Sequence, residues 1–310
     1  MSNIKSIVKI LILLAVSQGI LVCASAEQNT KSEQQIPAGK QINQTADIVP
    51  AGKLKITVLD VNHGDAILLQ TNKHNYLIDA GHKSSRDAFV SNMEKLGVKR
   101  VDTLIITHHH RDHMGNAEYA AGKYGISRIW DNGIVNTEYP KSVKLHEILV
   151  KGNYKNKVLQ AGDRFDFEKT LHFEVLSPGT FLPEFADDIY HNCTSIVMKM
   201  TFGAFSMLFA ADVEASAEAA IVKEYGDSLK VDVVKVPHHG AKTSSKLPFV
   251  SATSPKYALI SCGEPRTDHH PHPKVVSAWE NQGAKVYSTL MNGNLTILTD
   301  GKDYTVSTEK

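Results

Sequence analysis

Four histidines, an arginine and an aspartate crowd into Thr107-His108-His109-His110-Arg111-Asp112-His113-Met114-Gly115-Asn116. The segment directly follows the apolar run Val101-Asp102-Thr103-Leu104-Ile105-Ile106. Neutral imidazoles and a carboxylate are the donors that zinc, manganese and iron accept. The frame His108-x-His110-x-Asp112-His113 sets them where a buried strand meets solvent, so a stiff scaffold aims them. A solvated polar turn is the alternative, but it does not require this spacing.

Further along, Asp212 ends the apolar run Ser206–Ala211, where it suits a ligand or the cap of a helix starting near Glu214. His238-His239-Gly240 follows a second apolar run, Val231–Val236. Asp268-His269-His270-Pro271-His272 forms a third cluster, from which His270 or His272 could reach a metal or substrate, or which is a polar loop. His191-Asn192-Cys193 precedes the strand before Asp212.

Short β-like runs are expected over 54–61, 65–71 and 75–80, then a helix over 86–96 ending at Gly97, then a strand over 101–106. Residues 115–121 and 141–150 read as helical, 171–176 as a strand, and 179–190 as an acidic loop. A hairpin is expected over 195–210, helices over 214–225 and 273–281, and strands over 231–236, 257–261, 285–289 and 295–299. Val101–His108 echoes Val231–His238, and each follows a hairpin ending in an aspartate, Asp79 or Asp212, and then a helix. Two such halves predict two sheets face to face, flanked by helices: an α/β fold as a four-layer αββα sandwich, one domain over residues 51–310. The echo aligns His238 with His108, making His238 the expected ligand and His239 its support.

The chain has 310 residues, 42% of them hydrophobic, and a formal net charge of +1. That suffices for one large domain and gives no bulk attraction to nucleic acid. Lys5 and Lys9 lead into an apolar stretch that ends at Ala24-Ser25-Ala26, so residues 1–26 read as a signal peptide. Residues 27–50 read as a disordered tether. The expected destination is secreted or periplasmic, with no membrane span retained after cleavage. Cys193 and Cys262 remain as a disulfide pair, as zinc ligands or as free buried thiols.

His108-x-His110-x-Asp112-His113 resembles the signature of the metallo-β-lactamase superfamily. Leu59-Asp60-Val61-Asn62-His63-Gly64-Asp65-Ala66-Ile67, Leu77-Ile78-Asp79-Ala80-Gly81, Asn192-x-x-Ser195 and Val234–Ser245 narrow the resemblance to the soluble domain of ComEC-type DNA-uptake proteins, from about Leu54 to Asp300. Asn62-His63 departs from the usual Gly-Gln, and Asn116 from the second glycine of a Gly-Gly pair. The resemblance implies an αββα sandwich of the metallo-β-lactamase type and two divalent ions, zinc foremost, with manganese and iron as alternatives. His108 and His110 would serve one ion, Asp112 and His113 the other, with Asp212 bridging and His238 completing the set. Where most of the superfamily has a histidine before the second hairpin, His191 or Asn192 stands here; His239 and His270 are further candidates. The implied activity is metal-dependent hydrolysis through a metal-bridging hydroxide, with Asp112 and Asp212 orienting it and taking its proton. Phosphodiesters in nucleic acid, wall polymer or a phosphorylated small molecule are the expected substrates. Ester or amide hydrolysis, β-lactams included, and a non-catalytic metal-binding role are the alternatives.

Overall fold

The computed structural model describes residues 49–179, 188–264 and 269–310. The expected signal peptide, nearly all of the tether, most of the acidic loop and Asp268 lie outside these residues. Among the described residues no helix is long and apolar enough to cross a membrane.

Short apolar runs bounded by turns become strands, which assemble into an eight-stranded and a seven-stranded sheet among the described residues. The first is built around Leu54–Val58, Ile67–Gln70, Asn75–Ile78 and Thr103–Ile105; the second around Val197–Phe202, Phe205–Phe209, Val233–Lys235 and Tyr257–Ile260. Inward-facing Leu54, Ile56 and Ile67 of one sheet share a buried core with Phe173, Met198 and Met207 of the other. Helices carrying Phe89, Met93 and Ala120 cover the outer face of the first sheet. Helices carrying Ile221, Phe249 and Trp279 cover that of the second. Central strands are thus buried on both faces, which is why Val233–Lys235 and Ile67–Gln70 show no polar alternation. The layers run α-β-β-α, as the paired halves predict.

The echo between halves is a topological repeat. Asn75–Ile78 runs parallel to Thr103–Ile105 after the crossover helix Arg86–Lys95. Phe205–Phe209 runs parallel to Val233–Lys235 after the helix Ala215–Tyr225. Both His-bearing strand ends therefore reach the same edge of the sandwich.

Several elements differ from expectation. Arg128–Asp131, Lys155–Val158 and Arg164–Glu168 are short strands in a stretch with no clear period, and Tyr304–Thr308 adds an edge strand after the two expected to close the domain. Lys155-Asn156-Lys157-Val158 is a largely exposed edge, where charge discourages pairing with other chains and hides the strand signal. The end of the expected acidic loop is a helical turn, Asp188–Cys193, which carries His191 and Asn192. The helix expected over 115–121 runs from Ala117 to Lys123, and a separate helical turn, Arg111–Met114, precedes it.

Candidate metal centre

The His-rich segment turns sharply after Thr103–Ile105, and that turn is tied to its neighbours by backbone. Gly64 is at φ +98, and a Cβ there would lie 1.9 Å from the Asp112 carbonyl oxygen. Asp65 N–H donates to that same oxygen at 3.1 Å, and Ala80 N–H donates to His113 O at 2.7 Å. A Cβ on Gly115 would lie 2.4 Å from Arg111 O and from Lys83 N, so the turn leaves no room for a side chain. Asn116 is buried: its Nδ2 donates to Ala80 O at 2.9 Å and His82 O at 3.0 Å, and its Oδ1 accepts from Arg86 Nε. Its departure from glycine is thereby structural, a side-chain brace across the loop.

Asp212 lies at the centre. Its Oδ2 is 3.1 Å from His113 Nε2, 3.3 Å from His239 Nε2, 3.9 Å from His108 Nε2 and 4.0 Å from His238 Nε2. Asp112 Oδ2 stands 3.2 Å from His239 Nε2 and 3.2 Å from His63 Nε2. One donor atom from each of Asp112, His113, Asp212 and His239 falls within 4.8 Å of all the others.

The second ring nitrogens are held from behind. His113 Nδ1 donates to Asp79 Oδ2 at 2.8 Å, and Asp79 also accepts from Thr107 N and Oγ1. His239 Nδ1 donates to Ser261 O at 3.0 Å and lies 3.3 Å from Asp65 Oδ1. Lys235, fully buried, donates from Nζ to Asp65 Oδ2 at 2.8 Å and to Val236 O. Such supports fix the ring orientation that a metal ligand needs. His109, the residue skipped by the His-x-His frame, faces elsewhere and contacts Asp131 and Ser142.

His108, His110 and His191 gather on the other flank. The His110 ring is 4.6 Å from that of His108 and 5.9 Å from that of His191. Asn192 Nδ2 donates to Glu214 Oε1 at 2.9 Å, while its Oδ1 is buried with no hydrogen-bond partner. Glu214 Oε1 also lies 3.3 Å from His238 Nδ1.

Charge follows from this packing. Burial opposes ionisation of Asp212, but His113, His239 and His238 outweigh it and hold the carboxyl well below the usual range. Burial likewise opposes the charge of Asp112, and His113, His239 and His63 overcome it. Burial disfavours charge on His113 and His239, yet their carboxylate neighbours raise both well above an ordinary histidine. His108 is driven well below the ordinary value by burial and by the neighbouring His113 and His110. Its Nε2 and Asp212 Oδ1 are buried with no hydrogen-bond partner. Buried polar atoms cost free energy unless satisfied, and these orphaned donors fit a divalent cation.

The expected ranking of His238 and His239 is reversed in the geometry. Both follow Pro237 in the left-handed region, at φ +47 and +53. That backbone turns His239 inward, leaving it 2% exposed, and leaves the His238 side chain 21% exposed at the cleft wall. The His270 ring lies tilted against that of His238, with centroids 5.7 Å apart, and His272 caps the helix Pro273–Asn281. Both line a cleft of about 1060 Å3 together with Arg111, Glu214, Lys242 and Ile189. Cys193 and Cys262 are free, buried thiols, and neither belongs to a donor cluster among the described residues. Sequence reasoning missed Glu214, His63 and the supporting roles of Asp65, Asp79 and Lys235. A lysine inside an apolar strand and an aspartate after a glycine turn were the available signals.

Comparison with known proteins agrees with this fold. A family model described as the metallo-beta-lactamase superfamily matches residues 59–264. ComE operon protein 3 of Bacillus subtilis is 32% identical over 200 residues, covering 64% of this chain and 25% of its own length. Competence protein ComA of Neisseria gonorrhoeae is 26% identical over 255 residues, covering 82% of this chain and 33% of its own. The chain thus spans a quarter to a third of these relatives. Among solved structures, the metallo hydrolase Igni18 from Ignicoccus hospitalis aligns with a TM-score of 0.52 at 15% identity, covering 79% of this chain and 98% of that one.

Proposed function

The chain belongs to the metallo-beta-lactamase superfamily, and from that premise we propose that it is an exported metal-dependent phosphodiester hydrolase. The observation that carries the proposal is Asp212 Oδ2, one carboxylate oxygen set among four imidazoles drawn from both halves of the fold. Shared negative charge at that point suits two cations held close together. Asp112, His113 and His239 would hold one ion, zinc foremost, with Asp212 contributing to both sites. His108, His110 and the His191–Asn192 turn would hold the other. When bound, such ions favour hydroxide near neutral pH and neutralise charge on a departing oxygen.

The chain's own residues supply the rest. Asp112 and Asp212 orient the attacking water, and a carboxylate oxygen of Asp112, at the solvent side, accepts its proton. Asp65 and Asp79 keep His239 and His113 in register. Arg111 and Lys242 at the cleft rim attract an anionic diester. An open cleft of this volume suits a segment of polymer, nucleic acid or a phosphorylated wall polymer, as well as a small molecule. Similarity to proteins named for competence supports the phosphodiester over the β-lactam.

The test is metal analysis of the purified protein followed by a turnover screen with bis-p-nitrophenyl phosphate, carboxylic esters and a β-lactam. Bound metal with diester turnover is expected. Bound metal with no turnover of any ester would make the protein a binding module, and β-lactam or carboxylic-ester turnover alone would overturn the substrate class.

A further inference from the structure

We infer that His63 is a positioning residue for Asp112, holding that carboxylate from the solvent side through its Nε2–H. The inference rests on the reading of Asp112 as a metal-binding carboxylate. His63 and His239 each bring Nε2 to 3.2 Å from the same oxygen, Asp112 Oδ2. His239 approaches from the buried side and His63 from the cleft, which it lines. The two rings tilt around the oxygen with centroids 5.7 Å apart.

An exposed histidine touching a surface carboxylate is ordinarily a weak contact. The mount of His63 argues otherwise. Asn62 stands in the left-handed region at φ +63, and its Oδ1 accepts from Glu264 N–H at 2.9 Å. Ser261 Oγ donates to Gly64 O at 2.7 Å, and Asp65 N–H donates to Asp112 O at 3.1 Å. The residues on either side of His63 are therefore fixed to both halves of the fold and to the backbone of the residue it contacts. A side chain on so constrained a loop loses little further entropy when it holds a partner. Asp112 is itself 17% exposed, so without His63 its outer edge would face water and His239 alone would hold that oxygen. A glutamine side chain at this position offers an amide N–H that can fill the same role.

The test compares the parent with His63→Ala and His63→Gln, using zinc ion alone against a competing chelator and bis-p-nitrophenyl phosphate for turnover. His63→Ala is expected to weaken zinc at one equivalent by about ten- to a hundredfold. It should lower kcat with KM within about twofold of the parent, since substrate contacts persist. His63→Gln should return both quantities to within about threefold of the parent. Parent-like zinc affinity and kcat in His63→Ala overturn the inference. So does a His63→Gln variant as impaired as His63→Ala, because the imidazole itself would then be the ligand. A parent that takes up no zinc is a different result, seen before any variant is made, and removes the proposed centre together with this role.

Discussion

On the proposed reading Asp212 and Asp112 concentrate the chemistry, for each is a buried or half-sheltered carboxylate kept ionised by histidines, against the pull of burial. Removing either should abolish the acid–base and orienting contribution, lowering diester turnover on the order of 10²–10⁴-fold while the domain stays folded. Turnover assays with circular dichroism on Asp112→Ala and Asp212→Ala check this; wild-type turnover in either variant contradicts the dinuclear reading. The histidine pair gives a sharper contrast. His239→Ala should lose a full zinc equivalent, whereas His238→Ala should keep it with weakened affinity, measured as zinc stoichiometry after gel filtration. The opposite ranking would restore the assignment that register alone suggests. His238 sits at the same offset from its strand as His108, so spacing favours it. Spacing carries no information about the left-handed turn after Pro237 that presents its neighbour instead.

At the scale of elements, the helix Ala215–Tyr225 does more than cover a sheet. Its Glu218 accepts from the backbone N–H groups of Ser245 and Lys246, tying down the loop that leaves the His238–His239 turn. Burial pushes that carboxyl up to about 7 from 4.5, against the backbone donors that favour its charge. A carboxyl raised in the folded state binds its proton more readily there than in the unfolded chain. Its contribution is therefore fully present below about 4.5 and is lost as pH rises through about 7, on the order of 3 kcal/mol in all. Urea midpoints at pH 5 and pH 8 should fall with pH in the parent, and Glu218→Gln should flatten that fall; an unchanged slope would assign the effect to other groups. None of this was legible in the sequence, where Glu218 looks like any exposed helix residue. The paired halves were legible, because Val101–His108 and Val231–His238 repeat a strand whose apolar pattern survives burial on both faces. The edge strands were not, because four residues such as Lys155-Asn156-Lys157-Val158 hold too few apolar positions to show a period.

Over the whole molecule, the donors come from opposite halves: Asp112 and His113 follow the first sheet's strand, and Asp212 and His239 the second's. An ion held by all four binds only the closed sandwich. Zinc at a hundredfold excess over its dissociation constant should add about 2.7 kcal/mol of stability, and a chelator should remove it. Calorimetric midpoints with added zinc and with chelator measure this, and identical midpoints would show that the halves close without an ion. The buried Lys235–Asp65 pair also crosses between halves, but it belongs to the chain and is always present. The proposed ion would instead be borrowed from the surroundings. On the proposed reading, scarcity of metal would let the cleft edge open more often and let proteases reach the chain sooner, so the supply of a trace element would set how long each copy survives.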